Sequence, residues 1–114
     1  MIKWNSLASI AEVNDLVVQS HQQACLIFKH STRCSISSFA KSRLENDWNL
    51  SEKDIQPFYL DLIDNRAVSN YVADHFGIDH ESPQVLLIKN GICVYETSHL
   101  DISVNGIQEA LAAA

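Results

Sequence analysis

Short apolar runs that alternate with amphipathic segments constrain the fold of this chain more than any other feature. The run at residues 25–28 is too short for a helix and is bounded by polar residues, so it predicts a buried strand. Further strands are predicted at 58–63, 84–88 and 92–97. Proline lacks the N–H donor of a strand interior, and the second strand is therefore predicted to start after Pro57. Asn90-Gly91 between the last two runs is a strong hairpin signal.

The remaining segments have helical periodicity. Ser9 and Glu12 have capping-box spacing ahead of the first helix. Helices are also predicted at 35–48, at 66–76 with Gly77 as the stop, and from about residue 104. Strands separated by helices form right-handed parallel crossovers, whereas the hairpin adds antiparallel strands. We therefore predict an α/β fold with a central four-stranded mixed sheet and helices on both faces. This arrangement is similar to that of thioredoxin, although element order alone leaves other α/β folds open.

Length and composition narrow the function classes. The 114 residues predict a single domain over 1–114, without repeats or linkers. No apolar run reaches the roughly 20 residues of a membrane span, and residues 1–6 lack the pattern of a secretion signal. We therefore expect a cytoplasmic protein, without membrane association, whose thiols are kept reduced. A net charge of −6 makes a general nucleic-acid binder an unfavourable interpretation.

Basic residues are concentrated in one segment. Residues 29–43 contain four cations and no Asp or Glu, namely Lys29, Arg33, Lys41 and Arg43. Such a run is often only a solvated face, or it forms a positive rim around Cys34.

Cys34 is the residue that carries the predicted chemistry. It stands where the first buried strand gives way to a helix, so unpaired backbone N–H groups face its sulfur. Arg33 adjoins it, and both features favour the thiolate, which is the nucleophilic form. The alternative is an inert, structural cysteine.

The sequence Cys34-Ser35-Ile36-Ser37 has the spacing of a dithiol redox motif whose second cysteine is replaced. Ser37 lies one turn on, and we expect its hydroxyl to donate to the Cys34 thiolate. Serine cannot form a disulfide, so the predicted mechanism is monothiol and needs an outside thiol for release.

Ser82-Pro83 falls directly before the third predicted strand. A cis proline at this position would leave the backbone of Ser82 free to pair with an extended substrate. The alternative is an ordinary trans proline that ends a loop.

The other cysteines and the histidines give weaker signals. Cys25 and Cys93 fall in predicted strands, where cysteine usually serves as a small apolar filler. His30 either tunes Cys34 or is an exposed strand-end residue. His75, His80 and His99 form no cluster with paired cysteines, so we expect no metal site.

Three blocks of the sequence resemble the YtxJ-type monothiol bacilliredoxins: residues 30–37, residues 59–63 with Arg66, and residues 80–85. The resemblance runs from about residue 26 to 98. It implies a thioredoxin fold and removal of bacillithiol from protein cysteines. It also implies that Cys34 is the nucleophile and that Ser82-Pro83 is the cis-proline loop. Ser35 departs from the proline that the family commonly has after the cysteine.

The resulting hypothesis is a thiol–disulfide oxidoreductase without a bound cofactor, acting on S-thiolated client proteins with bacillithiol as co-substrate. Cys34 and Ser37 are the predicted catalytic residues, and Thr32, Arg33, Ser82 and Pro83 are predicted to bind substrate. The positive rim would attract the carboxylates of bacillithiol. A non-catalytic peptide-binding module and an iron–sulfur cluster carrier are the alternatives.

Overall fold

A computed structural model describes residues 2–114, so Met1, which the predicted domain 1–114 includes, lies outside the described residues. Strands and helices alternate along the rest of the chain. In chain order the elements are β1 (Asn5–Ser6), α1 (Ile10–Gln19), β2 (Ala24–His30), α2 (Ser35–Asp47), β3 (Ile55–Asp61), α3 (Arg66–Phe76), β4 (Gln84–Lys89), β5 (Ile92–Ser98), a 3₁₀ helix (His99–Asp101) and α4 (Val104–Ala113).

The strands form one mixed sheet in the order β1-β3-β2-β4-β5. β3 is parallel to both β1 and β2, whereas β4 is antiparallel to β2 and β5. The predicted count of four strands is therefore wrong by one, because β1 adds a fifth at the edge. β1 contains only Asn5 and Ser6, both exposed, so no apolar run marks it in the sequence.

β3 also begins and ends earlier than the predicted 58–63. Pro57 lies inside the strand, and its carbonyl oxygen accepts a hydrogen bond from Asn5 Nδ2 at 3.1 Å. On that side the pairing with β1 starts only at Phe58. The missing N–H of Pro57 therefore removes no bond of the ladder, and the strand continues through the proline.

The local start and stop signals are confirmed. Ser9 Oγ accepts from the Glu12 N–H at 3.1 Å, and Glu12 Oε1 accepts from the Ala8 N–H at 2.8 Å. Gly77 ends α3 with a φ of 67°. Asn90 and Gly91 turn the hairpin with φ values of 54° and 80°, the left-handed region that these two residues tolerate best.

Helices cover both faces of the sheet, as predicted. α2 and α4 pack on one face through a buried cluster that includes Leu26, Phe28, Leu44 and Ile107. α1 and α3 pack on the other face through a second cluster that includes Ile27, Leu16 and Val72. All seven residues of β2 are buried, because successive side chains of this central strand enter the two cores in turn.

Lys29 is the exception to the apolar composition of β2. Its side chain is fully buried, and Nζ lies 3.3 Å from both the Ser69 carbonyl oxygen and His80 Nδ1. Burial lowers the pKa of Lys29 from its ordinary value of 10.5 to about 8. Lys29 therefore does not belong to a solvated basic face, because its position in β2 directs it into the core.

The buried amine predicts a specific pH dependence of stability. Between about pH 8 and 10.5 the unfolded chain still holds the Lys29 proton that the folded chain has released, so stability gains with rising pH. Below this window the charge destabilises the fold by about 3 kcal/mol, the free energy that corresponds to the difference between the two pKa values. Lys29→Met should therefore be more stable than the wild type at pH 7, with a margin that shrinks as pH approaches 10.5.

Urea unfolding at several pH values measures this margin. Lys89→Met is the matched control, since Lys89 is only partly buried and lies at the C-terminal end of β4. A Lys29→Met margin that stayed constant from pH 7 to 10.5 would show that the buried amine does not titrate as described.

Candidate active site

The sheet topology brings the two predicted halves of the site to one edge. Lys29 in β2 is the register partner of Gln84 in antiparallel β4. The segment that leaves β2 toward Cys34 and the segment that enters β4 from Ser82 and Pro83 therefore lie at the same end of two neighbouring strands.

Cys34 caps the N-terminus of α2. Its backbone is extended, with φ −111° and ψ 122°, and its carbonyl oxygen accepts the first helical bond, from the Ser38 N–H at 3.1 Å. The side chain is partly exposed, and the first turn of α2 contains no acidic residue. A helix N-terminus carries partial positive charge, so Cys34 lies at the positive end of α2.

Ser37 does not have the expected partner. Its hydroxyl is fully buried, pairs with His30 Nδ1 at 2.6 Å and accepts from the Ser31 N–H at 3.0 Å. In the described chain its hydrogen bonds do not include one to Cys34. The hydroxyl is instead engaged by His30 and Ser31 at the end of β2, where Ser37 is buried, whereas Cys34 is partly exposed.

His30 lies under the helix and not in solvent, so the alternative of an exposed strand-end residue is wrong. It is only 4% exposed, and its ring centroid lies 5.6 Å from those of both Phe28 and Tyr59. Burial lowers the pKa of His30, and the positive charge of Lys41 lowers it further. A neutral ring can accept a hydrogen bond from the Ser37 hydroxyl at Nδ1. This hydrogen bond connects the end of β2 to the first turn of α2. The sequence did contain a signal for this position, since His30 follows Phe28 by two residues and must share its face.

The loop before β4 is held by its neighbours. The Ser82–Pro83 peptide bond is cis, and the Pro83 carbonyl oxygen accepts from the His99 N–H at 3.0 Å. Gln84, fully buried, donates from Nε2 to the Asp79 carbonyl at 3.1 Å and accepts at Oε1 from the Glu81 N–H at 3.3 Å. Sequence reasoning did not identify Gln84, although its polar side chain at the start of the otherwise apolar run 84–88 was an available signal.

The predicted positive rim is smaller than the sequence suggested. Lys41 bonds Glu45 at 2.8 Å, and Arg43 donates to the Leu100 carbonyl oxygen at 3.2 Å. Lys29 is buried. Arg33 is exposed beside Cys34, together with Thr32, in the loop between β2 and α2.

Cys25 and Cys93 differ from Cys34 in their surroundings. Cys25 is buried, and burial raises its pKa to about 11. Burial also raises the pKa of Cys93. Raised pKa values disfavour the thiolate, which agrees with the interpretation of both residues as core filler.

Comparison with solved structures defines the class of protein. A structure described as an oxidoreductase with a thioredoxin fold is 30% identical and has a TM-score of 0.78, covering 92% of this chain and 90% of the other. The thioredoxin of Malassezia sympodialis (Mala s 13) gives a TM-score of 0.76 at 12% identity, with 99% and 91% covered. Fasciola hepatica thioredoxin gives 0.70 at 15% identity, with 96% and 97% covered. The chain has the thioredoxin fold.

The family follows from the sequence match. The family model of the monothiol bacilliredoxin BrxC matches residues 5–107. The chain therefore belongs to the monothiol bacilliredoxin family, and it is a thiol–disulfide oxidoreductase. Across residues 2–114, no helix has the length and apolar character needed to cross a membrane.

The contacts of Ser37 predict a measurable loss of stability. Ser37→Ala leaves the Ser31 N–H and His30 Nδ1 without a buried partner, which should destabilise the fold by about 1–3 kcal/mol. Ser38→Ala, an exposed position in the same turn, is the matched control and should change stability little. Equal unfolding free energies for the two variants in urea would contradict the assigned hydrogen bonds.

Proposed function

We propose that this protein removes a low-molecular-weight thiol, bacillithiol in the first instance, from S-thiolated cytosolic proteins. The Cys34 thiolate attacks the small-thiol sulfur of the mixed disulfide on the client. A Cys34–small-thiol disulfide forms, the client disulfide breaks, and the client leaves as a reduced thiolate. The thiolate of a second small-thiol molecule then attacks the adduct, which releases a symmetrical disulfide and regenerates Cys34.

The observation that carries the proposal is the absence of a resolving thiol in the active-site turn. Cys34 is partly exposed at a helix start, whereas the residue one turn on is Ser37, buried and bonded to His30. An adduct on Cys34 therefore has no intramolecular thiol in the turn to displace it. A small thiol from solution suits this arrangement.

The proposed roles of the other predicted site residues follow from where they lie around Cys34. Thr32 and Arg33 lie on the exposed loop before Cys34, on the side that would meet the small thiol. The backbone of Ser82, next to Pro83, would pair with the extended segment that flanks the client cysteine. Bacillithiol acts as co-substrate, and the cycle requires no bound cofactor.

The exchange cycle predicts which cysteine receives the adduct. When the reduced protein meets a bacillithiolated client, mass spectrometry should find one small-thiol adduct on Cys34 and a matching loss from the client. Cys34→Ser should abolish both changes, whereas Cys93→Ser, a matched substitution in β5, should leave both intact. De-thiolation by Cys34→Ser, or an adduct on Cys93, would overturn the proposed function.

A client-binding measurement on the same proteins separates turnover from binding. If the wild type bound the client but removed no thiol, and Cys34→Ser bound it equally well, the protein would be a peptide-binding module. The mass of any adduct on Cys34 in protein from its native cell identifies the small thiol.

Arg33 predicts a modest electrostatic contribution. An exposed contact with a substrate carboxylate is worth ~1 kcal/mol or less, so Arg33→Gln should slow exchange with bacillithiol disulfide by up to about fivefold. The effect should fade at high salt and be absent for an uncharged disulfide. Lys53→Gln removes the same charge from an exposed site at another part of the surface and is the control. Equal rates for the two variants would exclude a role for Arg33.

A further inference from the structure

Lys29 is a buried cation that the exchange chemistry at Cys34 does not use. Its side chain has no solvent exposure, and the salt bridges found among residues 2–114 do not include it. It stands in the central strand of the sheet, where every other residue except His30 is apolar. Its face is also the one opposite to α2, so it does not contact the helix that begins at Cys34.

A charge in this position is unfavourable for stability. Replacing buried ionic groups with apolar side chains of similar volume is often neutral or stabilising, and an ammonium without a carboxylate partner lacks even the compensation of an ion pair. Methionine would fill the same space without the charge. A residue that lowers stability where a simple replacement exists points to a role other than packing.

The contacts of Lys29 show what it holds. Nζ lies 3.3 Å from the Ser69 carbonyl oxygen in the first half of α3 and 3.3 Å from His80 Nδ1 in the loop before β4. Ser69 Oγ also lies 3.3 Å from the same ring nitrogen. The ring of His80 is thus fixed from β2 and α3 together, although the residue itself is exposed.

Gln84 holds the same loop from the neighbouring strand. Its amide contacts the Asp79 carbonyl and the Glu81 N–H, and Gln84 is the register partner of Lys29. Two adjacent polar side chains, both fully buried in the sheet, therefore hold residues 79–81 of the loop.

We propose that Lys29 is a positioning residue that, through His80, orders residues 79–82 so that the Ser82 backbone can pair with the client polypeptide. This inference rests on the proposed function, because the pairing serves client recognition. Lys29 acts on the docking of the client and not on the sulfur of Cys34. The ammonium donates to two fixed acceptors, and such charge-assisted hydrogen bonds are stronger than neutral ones.

The proposal predicts that two reactions of Cys34 respond differently to Lys29→Met. Alkylation by iodoacetamide needs only the thiolate and should change by less than about twofold. Exchange with an S-thiolated protein also needs the loop, and its second-order rate constant should fall about tenfold. Lys89→Met, the same substitution at the other end of the sheet, should affect neither reaction.

His80→Ala tests the contact from its exposed partner and keeps the Lys29 side chain in place. It should reproduce the selective loss of protein exchange, and the double variant with Lys29→Met should be no slower than either single variant. Unchanged protein exchange in Lys29→Met would overturn the proposal. An equal fall in alkylation and exchange would also overturn it, because Lys29 would then act on Cys34 or on the whole fold.

A readout that does not depend on turnover separates this inference from the proposed function. Amide hydrogen exchange of residues 79–82 should be faster in Lys29→Met and His80→Ala than in the wild type and Lys89→Met. If the wild type failed to de-thiolate any client, the proposed function would fail, but this measurement would still show whether Lys29 orders the loop. Identical protection in all four proteins would contradict the positioning role.

Discussion

The end of β2 is the constraint on which the site depends. β2 is bonded to β3 on one side and to β4 on the other, and its seven residues are all buried. Its last residue, His30, therefore has a fixed position, and α2 begins only five residues later at Ser35. Cys34 has no freedom to occupy anything other than the helix start, where backbone N–H groups lack intrahelical partners. The chemistry of the sulfur follows from that placement.

Much of the fold could be predicted from the sequence because its decisive signals are local. The Ser9–Glu12 capping box, the stop at Gly77 and the Asn90-Gly91 hairpin each depend on a few neighbouring residues. The errors in the predicted strands lie where pairing with a strand distant in sequence determines the structure. β1 exists only because β3 offers an unpaired edge, and Pro57 is accepted inside β3 only because β1 is too short to oppose it. Neither condition is visible in a local window.

The candidate site likewise has features that could be predicted from the sequence and features that could not. Cys34 could be placed at the helix start from the order of a buried run and an amphipathic segment. The hydrogen-bond partners of Ser37 could not be predicted from the sequence. A helical spacing of three places two residues near each other but does not determine which of them faces the sheet. The exposed alternative for His30 and the assignment of Lys29 to a basic surface were wrong for a related reason, because polar residue types at a strand end usually indicate solvent. Their alternation with Phe28 and Ile27 carried the correct information about burial.

The two polar residues at the end of β2 point in opposite directions, and this explains why both are tolerated. His30 enters the face covered by α2, where it binds Ser37 and thereby fixes the turn that carries Cys34. Lys29 enters the opposite face, where it reaches Ser69 and His80 beneath the loop that leads to Pro83. Because successive strand residues alternate between faces, one rigid strand can order the turn that carries Cys34 and, independently, the loop that we propose pairs with the client. The buried charge of Lys29 lowers stability, yet the two side chains together connect the end of β2 to the turn at Cys34 and to the loop before Pro83.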